Sequence, residues 1–172
     1  MTTVQEGSWY AHVDLASEAE NGKTVWTLEC RYWRPIHAEL LTHRALCKNS
    51  GSSRAIPFLT QMRKVLREKP GPRYWAAKGK GMQASAEVTG WRRIAAPIWW
   101  AACRVINCGL AWIGSEVINL HKSIPNRVTE PYSNITIVVT ATEWDNFFTL
   151  RAHKDALPEF QDLAVGIRTA MN

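Results

Sequence analysis

Residues 42–54 limit how this chain can fold more than any other stretch, because their side chains are costly to bury without partners. They read THRALCKNSGSSR and include two arginines, a histidine, an asparagine and three serines. Guanidinium groups form paired hydrogen bonds with phosphate, and amide and hydroxyl groups can bond the edge of a heterocyclic ring. Gly51 lets the backbone approach a ligand closely. We therefore expect this segment to bind a phosphorylated, nitrogen-rich molecule.

The length and the charge distribution narrow the class of protein. The 172 residues suit a single domain spanning 1–172, with enough chain to bury a core. Residues 31–80 contain twelve of the 21 lysines and arginines but only two acidic residues, a net charge of +10, whereas the rest carries −4. This asymmetry indicates an anionic partner, either a nucleic acid or a phosphorylated small molecule, or it marks a solvated basic face.

The four cysteines are not spaced as metal ligands or as a redox motif. The sequence has no CxxC pair and no histidine at zinc-ligand spacing, so we expect reduced thiols and no metal site. Cys47 is interpreted as a small buried thiol rather than a nucleophile. The first residues lack the basic and apolar segments of a signal peptide. The sequence therefore favours a cytoplasmic protein.

Residues 94–118 form the most apolar segment of the chain. Arg104, Asn107 and Glu116 interrupt it, and charged groups in the middle of a membrane are costly. We therefore expect a helix buried in the protein and no association with a membrane. Trp99 and Trp100 are expected in the core or in a subunit interface.

Hydrophobic periodicity predicts the other elements. Strands at 8–14 and 24–33 form a hairpin through the Asn21-Gly22 turn, and 135–140 is a buried strand. Helices are predicted from Pro35 until Gly51, at 58–69, at 88–120, from Glu143 with Thr142 as its cap, and from Pro158 to the chain end. Residues 70–87 are predicted to be an irregular loop able to cover a site.

Five residues within 42–54 match, in register, the signature of the flavin-dependent thymidylate synthases, Arg-His-Arg-x-x-Ser-x-Asn-x-x-Ser-x-Arg. They are His43, Arg44, Asn49, Ser52 and Arg54. Thr42 and Cys47 stand where the signature has Arg and Ser. Segments at 31–57, 80–84, 121–131 and 140–151 also resemble family segments, in the same order. The chain is thus similar to the shorter, often phage-borne members of this family over about residues 24–165.

The resemblance implies a fold and an activity. The fold would be α+β, a mixed sheet packed by helices, in a homotetramer whose sites lie between subunits. The enzyme would convert dUMP to dTMP with methylenetetrahydrofolate as carbon donor. FAD, reduced by NADPH, would supply the hydride. No metal is implied.

The resemblance also implies which residues form the site. FAD would contact His43, Arg44, Asn49 and Asn146. The nucleotide would contact Glu39, Ser52, Ser53, Arg54, Arg127 and Arg151. Ser52 and Arg151 are the expected catalytic residues, and a buried arginine is an effective donor to negative charge that develops on the uracil ring. No general base is assigned.

Two other functions stay open at this point. One is a flavin- and folate-dependent hydroxymethylase of dUMP or dCMP, in which water quenches the methylene intermediate. The other is a non-enzymatic nucleic-acid-binding protein that uses the basic residues 31–80. On the resemblance, we expect dUMP and folate as small-molecule partners and no nucleic acid.

Overall fold

The computed structural model describes residues 2–80 and 86–172. The chain divides into two compact units, Met1–Gly51 with Asn134–Asn172, and Ser52–Ser133. The first unit contains a β-sheet with helices, and the second is mainly helical. The prediction of a single domain over 1–172 stays a prediction.

The first unit is built on a five-stranded sheet. Its strands are β1 (Thr3–Glu6), β2 (Trp9–Glu18), β3 (Thr24–Trp33), β4 (Cys47–Ser50) and β5 (Asn134–Ala141), in the spatial order β1-β2-β3-β5-β4. Among the described residues, every neighbouring pair of strands is antiparallel. The α+β class is therefore confirmed. The predicted mixed sheet is wrong, because β5 enters between β3 and β4 and runs opposite to both.

Strands β2 and β3 form the predicted hairpin, with Gly22 in a left-handed conformation (φ 78°) at its turn. A bulge between Val13 and Leu15 shifts the register of the pair. Before the bulge, the side chains of Ala11 and Val13 are buried, whereas all residues from Leu15 to Glu18 are exposed. The distal half of the hairpin therefore adds little to the core.

Helix α6 (Pro158–Met171), predicted from its proline, buries its apolar face against the sheet. The largest of its fully buried side chains are Phe160, Leu163 and Ile167, each at most 1 % exposed. Gly166 lies so close to Trp9 of β2 that a Cβ atom there would overlap the indole ring. This contact explains a glycine inside a helix. Helices α1 (His37–Leu41) and α5 (Asp145–Arg151) belong to the same unit.

The signature region is not the helix that periodicity predicts. Helix α1 ends at Leu41, and Cys47–Ser50 forms the edge strand β4, paired with β5. The Thr42 hydroxyl donates to the carbonyl of Glu39 at 2.7 Å, and the Lys48 ammonium donates to the carbonyls of Leu41 and His43. These bonds satisfy the carbonyl end of the helix locally, so it does not need to continue.

Two smaller predictions for this unit are also wrong. Cys47 is exposed rather than buried, because it lies on an edge strand. Helix α5 begins at Asp145 rather than Glu143, and its N-terminus has no side-chain cap from Thr142. Trp144 takes the capping position, and its indole donates to the carbonyl of Ala141 at 3.1 Å.

The second unit contains the helices α2 (Phe58–Glu68), α3 (Trp91–Trp112) and α4 (Pro125–Thr129). A turn of π-helix, Ile113–Val117, extends α3. Val65, Cys108 and Tyr132 form a buried hydrophobic cluster in this unit. Residues 70–80 are largely irregular, as predicted. The family-like residues 81–84 lie outside the described residues.

Helix α3 is largely exposed, so the prediction of a buried helix is wrong. Arg104, Cys108 and Ala111 are its buried residues, and their spacing defines a single stripe. Seven apolar side chains outside this stripe are 57–72 % exposed, and they are Trp91, Ile94, Ile98, Trp99, Val105, Ile106 and Leu110. By length and composition alone, Trp91–Val117 could cross a membrane.

Candidate active site

Arg151, at the C-terminal end of α5, connects the family-like segment 140–151 to the signature region, residues 42–54. Its Nε donates to Nε2 of His43 at 2.9 Å, and its Nη1 donates to Oε2 of Glu39 at 2.8 Å. The guanidinium carbon lies 4.7 Å from the centre of the Phe160 ring, within the range of cation–π attraction. Three predicted site residues, separated by 108 and 112 positions of sequence, thus meet in the first unit.

His43 is held as a neutral imidazole. Because Nε2 accepts the hydrogen bond from Arg151, the ring proton lies on Nδ1. The side chain is buried, edge-on to Phe147 with ring centres 5.1 Å apart, and also against Phe160. Burial lowers the pKa of His43, and the positive charges of Arg151 and Lys48 lower it further. The imidazole is therefore a fixed hydrogen-bond donor rather than a cation.

A cleft of about 330 Å³ lies beside this cluster. Four predicted site residues line it, namely His43, Arg44, Asn146 and Arg151. Arg44 and Asn146 are exposed, and their side chains make no hydrogen bond or ion pair with a described residue. Phe147 and Leu150 supply apolar walls. A cation, an amide and an imidazole between apolar walls suit a planar ring with polar edges.

The lining of the cleft lacks one residue of the predicted cofactor site and includes two apolar residues that were not predicted. Asn49 does not line it, since it lies exposed on β4, opposite Val138 of β5. Phe147 and Leu150 were not predicted. Leu150 follows Asn146 by one helical turn, so helical spacing from Asn146 is the signal that could have identified it.

The part of the signature that is predicted to contact the nucleotide forms a short 3-10 turn, Ser53–Ala55, in the second unit. The Ser52 hydroxyl accepts the backbone N–H of Arg54 at 3.3 Å and so caps the turn. Ser53 is buried, and its hydroxyl donates to Oε1 of Glu130 at 2.6 Å. The Ser53 side chain therefore forms a hydrogen bond inside the unit, whereas Ser52 and Arg54 are exposed.

Helix α4 lies against this turn. The Asn126 carboxamide is fully buried and donates from Nδ2 to the carbonyls of Ser53 and Ile56, at 2.7 and 2.9 Å. The next residue, Arg127, is exposed. Neither Arg54 nor Arg127 forms an ion pair with any residue in 2–80 or 86–172, so both guanidinium groups are available to an anion.

The part of the chain that the structure describes brings together no group of three His, Cys, Asp or Glu side chains that could hold a metal ion. The donors near both parts of the signature are guanidinium, amide, imidazole and hydroxyl groups. These groups bind phosphate and heterocyclic rings. The chemistry available is therefore recognition of an anion and stabilisation of negative charge.

The free energy of unfolding is expected to decrease as the pH falls below 6.5, the ordinary pKa of histidine. Below this pH the unfolded chain takes up a proton at His43, whereas the folded chain, whose His43 pKa is lowered, takes it up only at a lower pH. Protonation therefore favours unfolding, by at most about 1.4 kcal/mol per pH unit for one group. Urea unfolding at about pH 7 and about pH 5.5 measures the effect.

The His43→Gln variant is the comparison for this measurement. The pKa of His37 is also lowered by burial, and His37 contributes equally to both proteins. The variant should therefore lose less stability than the wild type over the same pH interval. Equal losses in the two proteins would contradict the assignment of a neutral, buried His43.

The fold is similar to that of two nucleotide-binding enzymes of known structure. ThyX thymidylate synthase from Helicobacter pylori, solved with FAD and dUMP, superposes with a TM-score of 0.59 at 16 % identity, over 87 % of this chain and 68 % of that chain. The UMP/dUMP methylase PolB from Streptomyces cacaoi, bound with 5-Br UMP, gives a TM-score of 0.62 at 16 % identity, over 86 % and 68 %. No protein-family model and no characterised protein sequence matches the chain. At these identities the likeness establishes the fold.

Proposed function

We propose that this chain is a flavin-dependent thymidylate synthase of the short, phage-type form, which converts dUMP to dTMP. The observation that carries the proposal is the 2.9 Å hydrogen bond between Arg151 and His43. It unites the signature with the later segment in one cleft, and Arg44 and Asn146 line the same cleft. The neighbours in fold that were solved with FAD and dUMP, or with 5-Br UMP, support the same class of ligands.

FAD is the proposed cofactor, held by His43, Arg44, Asn49 and Asn146. The Nδ1–H of His43 and the amide of Asn146 suit the polar edge of a ring, and the free guanidinium of Arg44 suits a phosphate. A volume of about 330 Å³ is small for a ligand site, so the cleft fits one ring system of the cofactor rather than all of it. When bound, FAD reduced by NADPH supplies the hydride that completes the methyl group.

The phosphate of dUMP is the proposed ligand of Arg54 and Arg127. Their exposed guanidinium groups, which form no ion pair with a described residue, can each form two parallel hydrogen bonds to phosphate oxygens. The Ser52 hydroxyl accepts the N–H of Arg54, which leaves its own proton to donate to the nucleotide. Ser53 is proposed to contact the nucleotide through its backbone, since its hydroxyl is bound to Glu130.

Arg151 is the proposed catalytic donor to the uracil ring. Its Nε and Nη1 are held by His43 and Glu39, which leaves Nη2 to donate to a uracil oxygen. A donor that is fixed in advance need not reorganise as negative charge develops, and this is the main advantage of such groups in catalysis. Glu39, beside it, is proposed to contact the nucleotide. Methylenetetrahydrofolate supplies the carbon unit that is transferred to the ring.

The purified protein is expected to retain FAD after excess cofactor is removed, with a visible absorption spectrum shifted from that of free FAD. The Arg44→Ala variant should bind FAD about tenfold more weakly, because it loses a charge-assisted hydrogen bond. Arg63→Ala is the matched control, since Arg63 is an exposed arginine on α2 outside the cleft. A folded wild type that retains no FAD would contradict the proposal.

The product of the reaction separates the enzymatic alternatives. With dUMP, methylenetetrahydrofolate and NADPH, mass spectrometry should detect dTMP and stoichiometric oxidation of NADPH. A product that carries a hydroxymethyl group would assign the hydroxymethylase instead. Parallel reactions with dCMP identify the pyrimidine.

A nucleic-acid-binding function is the second candidate, supported by a basic groove on α2. The groove has a volume of about 650 Å³ and is lined by Thr60, Arg63, Lys64, Leu66 and Arg67. Three cationic side chains that line one groove suit a polyanion. This function would show as polynucleotide binding with a steep salt dependence in a protein that retains no flavin.

We propose that the active form is a cytoplasmic homotetramer whose sites are shared between subunits. The exposed apolar side chains of α3 support self-association, because soluble monomers rarely expose a large apolar patch. Ile98 is 64 % exposed and Ile106 is 60 % exposed. Burying such side chains against a second subunit would remove apolar surface from water.

A further inference from the structure

Asn126 and Glu130 fix both ends of the Ser53–Ala55 turn from inside the second unit. The Asn126 carboxamide donates to the carbonyls of Ser53 and Ile56, at 2.7 and 2.9 Å, which lie on either side of Arg54. Glu130 accepts the hydroxyl proton of Ser53 at 2.6 Å. The two residues are four positions apart and therefore project from one side of the helical segment. Three hydrogen bonds thus attach the turn to α4 and to Glu130, the residue that follows it.

Arg127 lies between these two residues in sequence but projects to solvent. Helix α4 therefore uses one side to hold the turn and another to expose a guanidinium group. The backbone of Arg54 and the backbone of Arg127 are consequently tied to one short element. Neither arginine has an ion-pair partner among the residues that the structure describes, so both remain available to a ligand.

The hydrogen bonds of Asn126 favour a positioning role over simple filling of space. The residue is fully buried, and its Oδ1 has no hydrogen-bond partner among the described residues. An unpaired buried acceptor is costly, and an apolar side chain would fill the volume without that cost. Only a group with two N–H donors can hold both carbonyls. The unpaired oxygen is thus the consequence of fixing the turn.

We propose that Asn126 and Glu130 are positioning residues that preorganise Arg54 and Arg127 for the phosphate of the nucleotide. The inference rests on the proposed function, because it takes dUMP as the ligand of these arginines. Neither residue touches the nucleotide. They act by keeping the two arginine backbones in place, so that less order has to be gained on binding. Their loss should therefore weaken nucleotide binding and leave FAD binding unchanged.

Glu130→Ala is expected to raise the Kd of the FAD-loaded enzyme for dUMP about tenfold, because it removes a charge-assisted hydrogen bond. The KM for dUMP should rise in parallel while kcat and the Kd for FAD change less than about twofold. Glu130→Gln should stay within about threefold of the wild type, since its amide oxygen can still accept the Ser53 proton. Isothermal titration of each protein with dUMP and with FAD gives the Kd values.

Two further variants test whether the effect comes from this hydrogen bond. The Ser53→Ala, Glu130→Ala double variant should bind dUMP as Glu130→Ala does, because each change removes the same bond. Glu116→Ala is the matched control, since the exposed Glu116 accepts a hydrogen bond from Ser115 at 2.8 Å in the π-helical turn that extends α3. It should leave the Kd for dUMP unchanged.

The outcomes separate the inference from the proposed function. Glu130→Ala that binds dUMP as tightly as the wild type overturns the inference alone. An equal loss of dUMP and FAD binding also overturns it, since that pattern marks a general loss of structure. A wild type that retains FAD but does not bind dUMP overturns the proposed nucleotide site and the inference with it.

Discussion

Replacing Arg54 with alanine is expected to lower kcat/KM for dUMP about a hundredfold, the loss of one bidentate contact between a guanidinium group and a phosphate. The free energy of unfolding should change by less than about 0.5 kcal/mol, because Arg54 is exposed and forms no ion pair with a described residue. Steady-state kinetics with varied dUMP and urea unfolding of the same preparation measure both quantities.

Two further variants show whether the loss of activity is specific to the guanidinium group of Arg54. Arg54→Lys keeps the positive charge but loses the planar pair of donors, so its kcat/KM should lie between those of the wild type and Arg54→Ala. Arg63→Ala removes an arginine that is equally exposed, on α2, and should leave the kinetics with dUMP unchanged. If Arg54→Ala and Arg63→Ala instead reduce polynucleotide binding by similar, salt-dependent amounts, the nucleic-acid function is favoured and the enzymatic one fails.

Replacing Ile106 with glutamate is expected to convert the proposed homotetramer to monomers and to reduce activity more than about tenfold. Ile106 is 60 % exposed on the apolar side of α3, and a carboxylate placed in a subunit interface must be removed from water without a partner. Activity should fall with the assembly if the sites are shared between subunits. Light scattering gives the mass, and activity measured over a range of protein concentrations shows the dependence.

Leu15→Glu is the control for this substitution. Leu15 is 57 % exposed on β2, so the change introduces the same charge at a similar exposure in the other unit. It should leave both mass and activity unchanged, and circular dichroism should show both variants to be folded. A wild type that is a fully active monomer would contradict the proposed assembly.

Four residues of the cleft could be predicted from sequence, but the local structure that carries them could not. His43, Arg44, Asn146 and Arg151 follow from the signature and the later segment, and the structure places them together. The helix predicted through the signature rested on the spacing of leucines. In the structure, Cys47–Ser50 pairs with β5 instead. Pairing with a strand so distant in sequence overrides local periodicity.

Other features could not be predicted from the sequence, for a different physical reason. An apolar helix such as α3 has the same composition whether it is buried in its own chain or exposed to a partner, so sequence does not distinguish the two. The roles of Asn126 and Glu130 depend on contacts with Ser53, which is 73 and 77 positions away. No local motif marks such contacts. The hairpin of β2 and β3, in contrast, is set by adjacent residues and was predicted.

The bulge between Val13 and Leu15 divides that hairpin into two parts of different local stability. Strand β3 pairs with β2 on one side and β5 on the other, and Leu28 and Cys30 at its centre are fully buried. Beyond the bulge, the residues of β2 bury almost nothing. Regions with few buried contacts open at low free-energy cost. Fraying of this sheet should therefore start at the hairpin tip and stop at the bulge, so an affinity tag inserted at the tip would leave the core of the sheet intact.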